Sequence, residues 1–169
     1  LIRNKSLNIG ALVRKKDGDK KLEFATVQVP SVLPRIVRMP AGREEREAVI
    51  LLEEIIERNI HKLFLSYDIV CSCPFRIMRN ADFVLEEDES EDLLKEIEKQ
   101  LKKRQWGQAI RLEVEEGIDK RLLNIIKTEL SIGDEDIYRI DGPLDLTFLM
   151  RMYGLFGFDH LKEKGYTGP

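Results

Sequence analysis

Two β-patterned segments meet at Asp17-Gly18, and this feature constrains the fold most. Leu22, Phe24 and Thr26 alternate with Glu23, Ala25 and Val27, and Leu7 to Val13 is rich in apolar, β-forming residues. An Asp-Gly step between such runs supplies the positive φ of a tight hairpin. Leu7 to Val13 and Leu22 to Val29 are therefore expected to pair antiparallel, and a sheet that opens this way needs cover on at least one face. The connection Pro30-Ser31-Val32-Leu33-Pro34 is stiff, because each proline lacks a donor and biases its predecessor to extended backbone. A third short strand, Arg35 to Met39, completes a β-meander.

The apolar period then changes. Leu52, Ile55, Ile56, Ile60, Leu63 and Phe64 recur at helical spacing, with Glu53, Glu54, Glu57 and Arg58 on the other, wet side. Ile69 to Met78 reads as one strand, or as two interrupted at Pro74, since a central strand does not tolerate proline. Glu86 to Asp92 holds six acids in seven residues and leads into a second helix, with Asp88 or Ser90 as cap and Leu93, Leu94, Ile97 and Leu101 as its stripe. Ala109 to Glu115 alternates again, with Ile110, Leu112 and Val114 against Arg111, Glu113 and Glu115. Asp119 can cap a third helix with an apolar face of Leu122, Leu123, Ile126 and Leu130. Ile137 to Ile140 is a short strand, and a last helix is expected from Asp145 to Tyr153. The order predicts an α+β fold, an antiparallel or mixed sheet starting with a β-meander and helices packed on it.

A chain of 169 residues suits one domain, and 43% apolar residues can fill its core. No apolar run reaches the ~20 residues of a membrane span, and no signal peptide is present, so a cytoplasmic setting is expected. The chain starts at Leu1 with residues already patterned as structure, which points to an internal segment. Cys71 and Cys73 are too close on one strand to bridge and form only half of a zinc signature, so they read as small buried groups. His61 lies at the edge of the first helix's apolar stripe and His160 in the glycine-rich tail; neither has the partners of a catalytic triad. No Walker loop or dinucleotide fingerprint occurs, so no catalytic or metal-ligating residue is assigned.

Charge is unevenly spread. Residues 1–46 carry 11 Lys and Arg against 5 Asp and Glu, and the remainder 17 against 26. A basic front end suits a polyanion, although such asymmetry also arises on ordinary solvated surfaces. Aromatic residues are only 7% and lack the basic interleaving of a single-strand binder.

Several strings are informative together. Ile2-Arg3-Asn4-Lys5-Ser6-Leu7-Asn8, Gln28-Val29-Pro30-Ser31-Val32-Leu33-Pro34-Arg35 and Pro74-Phe75-Arg76-Ile77-Met78-Arg79-Asn80-Ala81-Asp82 occur in that order. Arg111-Leu112-Glu113-Val114 and Tyr138-Arg139-Ile140-Asp141-Gly142-Pro143-Leu144-Asp145-Leu146 follow. This series resembles the middle, or head, domain of long polyphosphate kinases across nearly the whole chain.

The resemblance implies a parent enzyme that reversibly moves the terminal phosphate of ATP onto polyphosphate, with Mg2+, through a phosphohistidine in C-terminal domains. His61 and His160 do not match that family's catalytic motifs. Residues 1–153 then form the middle domain and 154–169 a linker toward the catalytic domains. The domain is expected to be inactive alone, to serve dimerisation of a homo-oligomer and the polymer path, and to bind no cofactor and no DNA; membrane association is not legible in these residues. Arg3, Lys5, Arg35, Arg38, Arg76 and Arg79 fall in the recurrent strings and are the candidate polyphosphate contacts, with an Arg79–Asp82 loop clamp as the structural alternative. A stand-alone α+β module for RNA or another polyanion, or a ligand-free dimerisation domain, are the competing readings.

Overall fold

The computed structural model describes residues 2–18, 21–40, 48–80, 107–166 and 168. A five-stranded sheet forms its centre, in the order β2-β1-β5-β6-β7. Strands β1 (Leu7–Lys15) and β2 (Leu22–Gln28) form the expected antiparallel hairpin, with Ala11 opposite Ala25. Gly18 has φ 91° at the turn, a region open to glycine at little cost. β5 (Tyr67–Arg79) lies on the other side of β1 and pairs antiparallel with both β1 and β6 (Ala109–Glu115). β7 (Ile137–Ile140) is parallel to β6, joined to it through helix α2 (Lys120–Leu130), so the sheet is mixed.

The third expected strand leaves this sheet. β3 (Ile36–Arg38) pairs instead with β4 (Val49–Leu51) in a separate two-stranded ribbon, which leads directly into α1 (Leu52–Arg58) and a 3-10 turn at Ile60–Lys62. The last helix, α3, covers Phe148–Tyr153 and starts later than Asp145, because Asp145 has φ 52° and cannot begin a right-handed helix. The acidic run at 86–92, the second helix expected at 93–101 and Asp82 lie outside the described residues.

Both sheet faces are covered, which explains why Leu7 to Val13 is buried without interruption. On one face Leu12, Cys73, Phe75, Ile77, Leu112 and Val114 pack beneath Leu122, Leu123 and Ile126 of α2. On the other, Leu7, Ile9, Ala11 and Val13 pack with Leu52 of α1, Ile60 and Leu144. Phe75 is fully buried, which favours folding by about 2–3 kcal/mol. A Cβ added to Gly10 would lie 3.3 Å from the Phe75 ring and 3.4 Å from both Ile126 and Phe24, so glycine there gives three large side chains room to meet. Asp119 caps α2 as expected: its Oδ1 accepts from the Arg121 N–H at 2.8 Å.

Two expectations about faces are corrected, and one alternative left open in the sequence is settled. β5 is one continuous central strand through Pro74. Lys5 N–H donates to the Ile77 carbonyl, so odd residues of β5 direct their backbone groups to the β1 side and Pro74 directs its nitrogen to the β6 side. There the ladder starts one residue later, at Phe75 opposite Val114, so Pro74 lies just beyond the paired stretch. Glu53 is buried rather than wet, because Arg35 neutralises it from the ribbon. In β6 the register shifts between the Met78–Arg111 and Arg79–Ala109 pairs, leaving Ile110 as a bulge and 47% exposed, while Glu113 is buried.

Candidate functional site

The face bearing α1 carries a chain of alternating charges drawn from five separate segments. Arg35 at the foot of β3 donates from Nε to both Glu53 oxygens at 3.1 Å and from Nη2 to Oε1 at 2.5 Å. It also donates to the Leu144 and Asp145 carbonyls and lies over the Phe148 ring. The Asp145 carboxylate stands 3.9 Å from both Arg35 and Arg76. Arg76 continues to Glu113 at 3.4 Å, Glu113 to Arg111 at 2.9 Å, and Arg111 rests on the Tyr138 ring at 3.9 Å. Three guanidiniums thus balance three carboxylates, five of the six side chains at 19% exposure or less, with Arg111 at the rim. Charges this deep persist only when paired and hydrogen-bonded.

One end of this network forms the wall of a cleft of about 430 Å³. Its other walls are the N-terminal turn at residues 3–7, the loop at 28–33 and the start of α3 at 145–151. Arg3, Lys5, Arg35 and Arg151 bring four cations to the lining, against the single carboxylate of Asp145. Arg3, Lys5 and Arg151 are exposed, and their side chains have no hydrogen-bond or ion-pair partner among the described residues. Lys5 and Asp145 also share a rare backbone state, with φ 58° and 52°. Arg76 connects them: its Nε donates to the Lys5 carbonyl at 3.4 Å and faces the Asp145 carboxylate.

The sequence candidates therefore separate by environment. Arg3 and Lys5 line the cleft with heads that have no partner among the described residues. Arg35 lines it too, but its donors are engaged by Glu53 and two carbonyls. Arg76 sits behind it in the ion network. Arg79 lies apart, donating to the Ile2 and Gly107 carbonyls at 2.8 to 3.2 Å. Arg38 is exposed and donates to the Phe156 carbonyl at 3.3 Å. Arg151 was absent from the sequence candidates; a lone Arg in an amphipathic helix carries no distinguishing pattern, and only the fold places it opposite Arg3 and Lys5.

A second cleft of about 570 Å³ lies on the far side of the Arg35–Glu53 pair, with Glu53, Glu54, Glu57, Glu115, Glu116 and Asp141 in its lining. Burial, and then the neighbouring Glu57, Glu54 and Glu53, push the Glu115 carboxyl above its ordinary value. Cys71 and Cys73 are free thiols on β5, and burial pushes Cys73 up to about 12, well outside the range of a nucleophile at neutral pH. His61 and His160 are both exposed.

The family model for the polyphosphate kinase middle domain matches residues 1–152. The chain belongs to the polyphosphate kinase family, as its middle domain. It is 48% identical over 164 residues to the polyphosphate kinase of Exiguobacterium sibiricum, a match covering 95% of this chain and 23% of that protein. With the polyphosphate kinase of Halalkalibacterium halodurans the identity is 44% over 167 residues, covering 97% and 24%. The chain thus spans about a quarter of the length of these relatives. The crystal structure of a polyphosphate kinase from Porphyromonas gingivalis shares the fold, with a TM-score of 0.66 at 20% identity over 89% of this chain and 20% of that one.

Proposed function

We propose that the parent protein of this polyphosphate kinase middle domain is an ATP:polyphosphate phosphotransferase. It would reversibly move the terminal phosphate of ATP onto polyphosphate through a phosphohistidine, in the cytoplasm, as a homo-oligomer. Family membership over residues 1–152 carries this reading. Residues 1–153 serve dimerisation and the polymer path, and 154–169 act as a linker. Mg2+ and ATP are proposed to act in other parts of the parent; among the described residues no group of three or more His, Cys, Asp or Glu could hold a metal ion. No helix among the described residues is long and apolar enough to cross a membrane.

The polymer-path role is supported by the basic cleft, since guanidinium and ammonium groups without carboxylate partners favour phosphate oxygens. The test compares the 169-residue chain with its full-length parent. ATP-dependent polyphosphate synthesis is expected from the parent and none from the chain alone. Synthesis by the pure chain, or none by the parent, refutes the reading.

A further inference from the structure

We propose that the cleft between residues 3–7, 28–33 and 145–151 binds a run of consecutive phosphates, held by Arg3, Lys5 and Arg151. The proposal deepens, and rests on, the polymer-path reading; it brings Arg3 and Lys5 of the six sequence candidates together with Arg151. Three observations carry it. Of the cleft's four cations, three have no partner among the described residues, and they come from opposite ends of the chain. Cations gathered in this way repel one another, which an anion between them relieves.

The lone carboxylate in the lining, Asp145, faces both Arg35 and Arg76 and so offers little repulsion to an incoming anion. Finally, of the three non-glycine residues with positive φ among the described residues, two stand on facing walls here, whereas the third, Ser131, ends α2. A left-handed residue costs about 1–2 kcal/mol. At Ser131 that conformation closes a helix; at Lys5 and Asp145 it shapes the two walls, both in contact with Arg76.

The ligand class follows from the lining. Arg3 and Arg151 present planar forks that can take two oxygens each, and Lys5 a point charge. Ser31 adds a hydroxyl, whereas those of Ser6 and Thr147 already donate to the Arg3 carbonyl and the Asp145 carboxylate. No exposed aromatic ring lines the cleft; its one ring, Phe148, is covered by Arg35. A base has nowhere to stack, and the phosphates alone are recognised. Inorganic polyphosphate and the triphosphate of ATP share that chemistry, so the experiment must separate them.

Calorimetric titration of the 169-residue chain with tripolyphosphate, longer polyphosphate and ATP, over a range of salt, makes the test. The key variant combines Arg3→Gln, Lys5→Gly and Arg151→Gln. Glycine suits the φ of 58° at position 5, so charge is removed without adding strain. Polyphosphate is expected to bind, with ATP no tighter than tripolyphosphate. The triple variant should lose about tenfold or more in affinity, and its slope of log affinity against log salt should be shallower by about two, at roughly 0.7 per cation lost. Arg76→Lys keeps all three cations, so, measured where the variant is fully folded by circular dichroism, it should weaken binding while leaving the salt slope unchanged.

Unchanged affinity and slope in a triple variant that unfolds at the parental temperature would overturn the cleft while leaving a polymer path elsewhere on the domain. If the unsubstituted chain binds no polyphosphate at low salt, the cleft falls. If the full-length parent with the same substitutions also keeps its rate and product length, the polymer-path reading falls with it. Tighter binding of ATP or of RNA than of polyphosphate would overturn the ligand class.

Discussion

Replacing Arg35 with alanine probes the buried charge network directly. The side chain grips Glu53 through three contacts of 2.5 to 3.1 Å and also holds the carbonyls of Leu144 and Asp145. The Glu53 side chain is only 5% exposed, so water has little room to replace the guanidinium. Removing one member of a buried pair costs about 3–5 kcal/mol, because the remaining charge is stranded away from solvent. For a domain of this size each kcal/mol lowers Tm by about 2–4 °C, so a fall of about 6–20 °C is expected by calorimetry, with a matching drop in the urea midpoint. A paired variant, Arg35→Met with Glu53→Leu, removes both charges and refills the volume, and it should recover most of that loss. If Arg35→Ala costs less than about 1 kcal/mol, the range of an exposed ion pair, the pair is solvated and the reasoning fails.

Three further outcomes are expected. Gly10→Val pushes a branched side chain against Phe75, Ile126 and Phe24; it should cost about 1–3 kcal/mol by overpacking, seen as a lower urea midpoint at unchanged m. Glu115 is a carboxyl with a raised folded value, so its contribution to stability is present at low pH and is lost as pH rises through that value. Glu115→Gln should therefore raise Tm at pH 7, and the gain should shrink as pH falls below the ordinary 4.5; a gain independent of pH would contradict this. With its pKa at about 12, Cys73 should resist iodoacetamide at pH 8 in the native state and react at the rate of a free thiol once urea unfolds the chain.

Where local pattern decides structure, the sequence was sufficient. Asp17-Gly18 announced the hairpin, Asp119 the cap of α2, and the Leu122, Leu123, Ile126 spacing the helix face that meets the sheet. What escaped was set by residues distant in the chain. Glu53 occupies a helix position that looks solvent-facing until Arg35 arrives from the ribbon. Pro74 argued against a central strand, and only the register with β6 shows that its missing donor is not needed. Ile110 continued an alternation that the bulge beside Arg79 breaks. Arg3 and Lys5 were legible through the strings around them, but their assembly with Arg151 joins positions nearly 150 residues apart, a relation no local motif encodes.

The Arg35–Glu53 pair lies between two clefts of opposite net sign, one lined by Arg3, Lys5, Arg35 and Arg151 against Asp145, the other by six carboxylates against Arg58. The pair itself adds no net charge, but it separates two regions whose potentials have opposite signs, and so the face carries a fixed dipole. A long polyanion approaching that face would be turned before it touched any side chain, drawn in at one end and deflected at the other. A polymer seated among the three cations, as proposed, would meet repulsion toward the side of this face that carries the carboxylates.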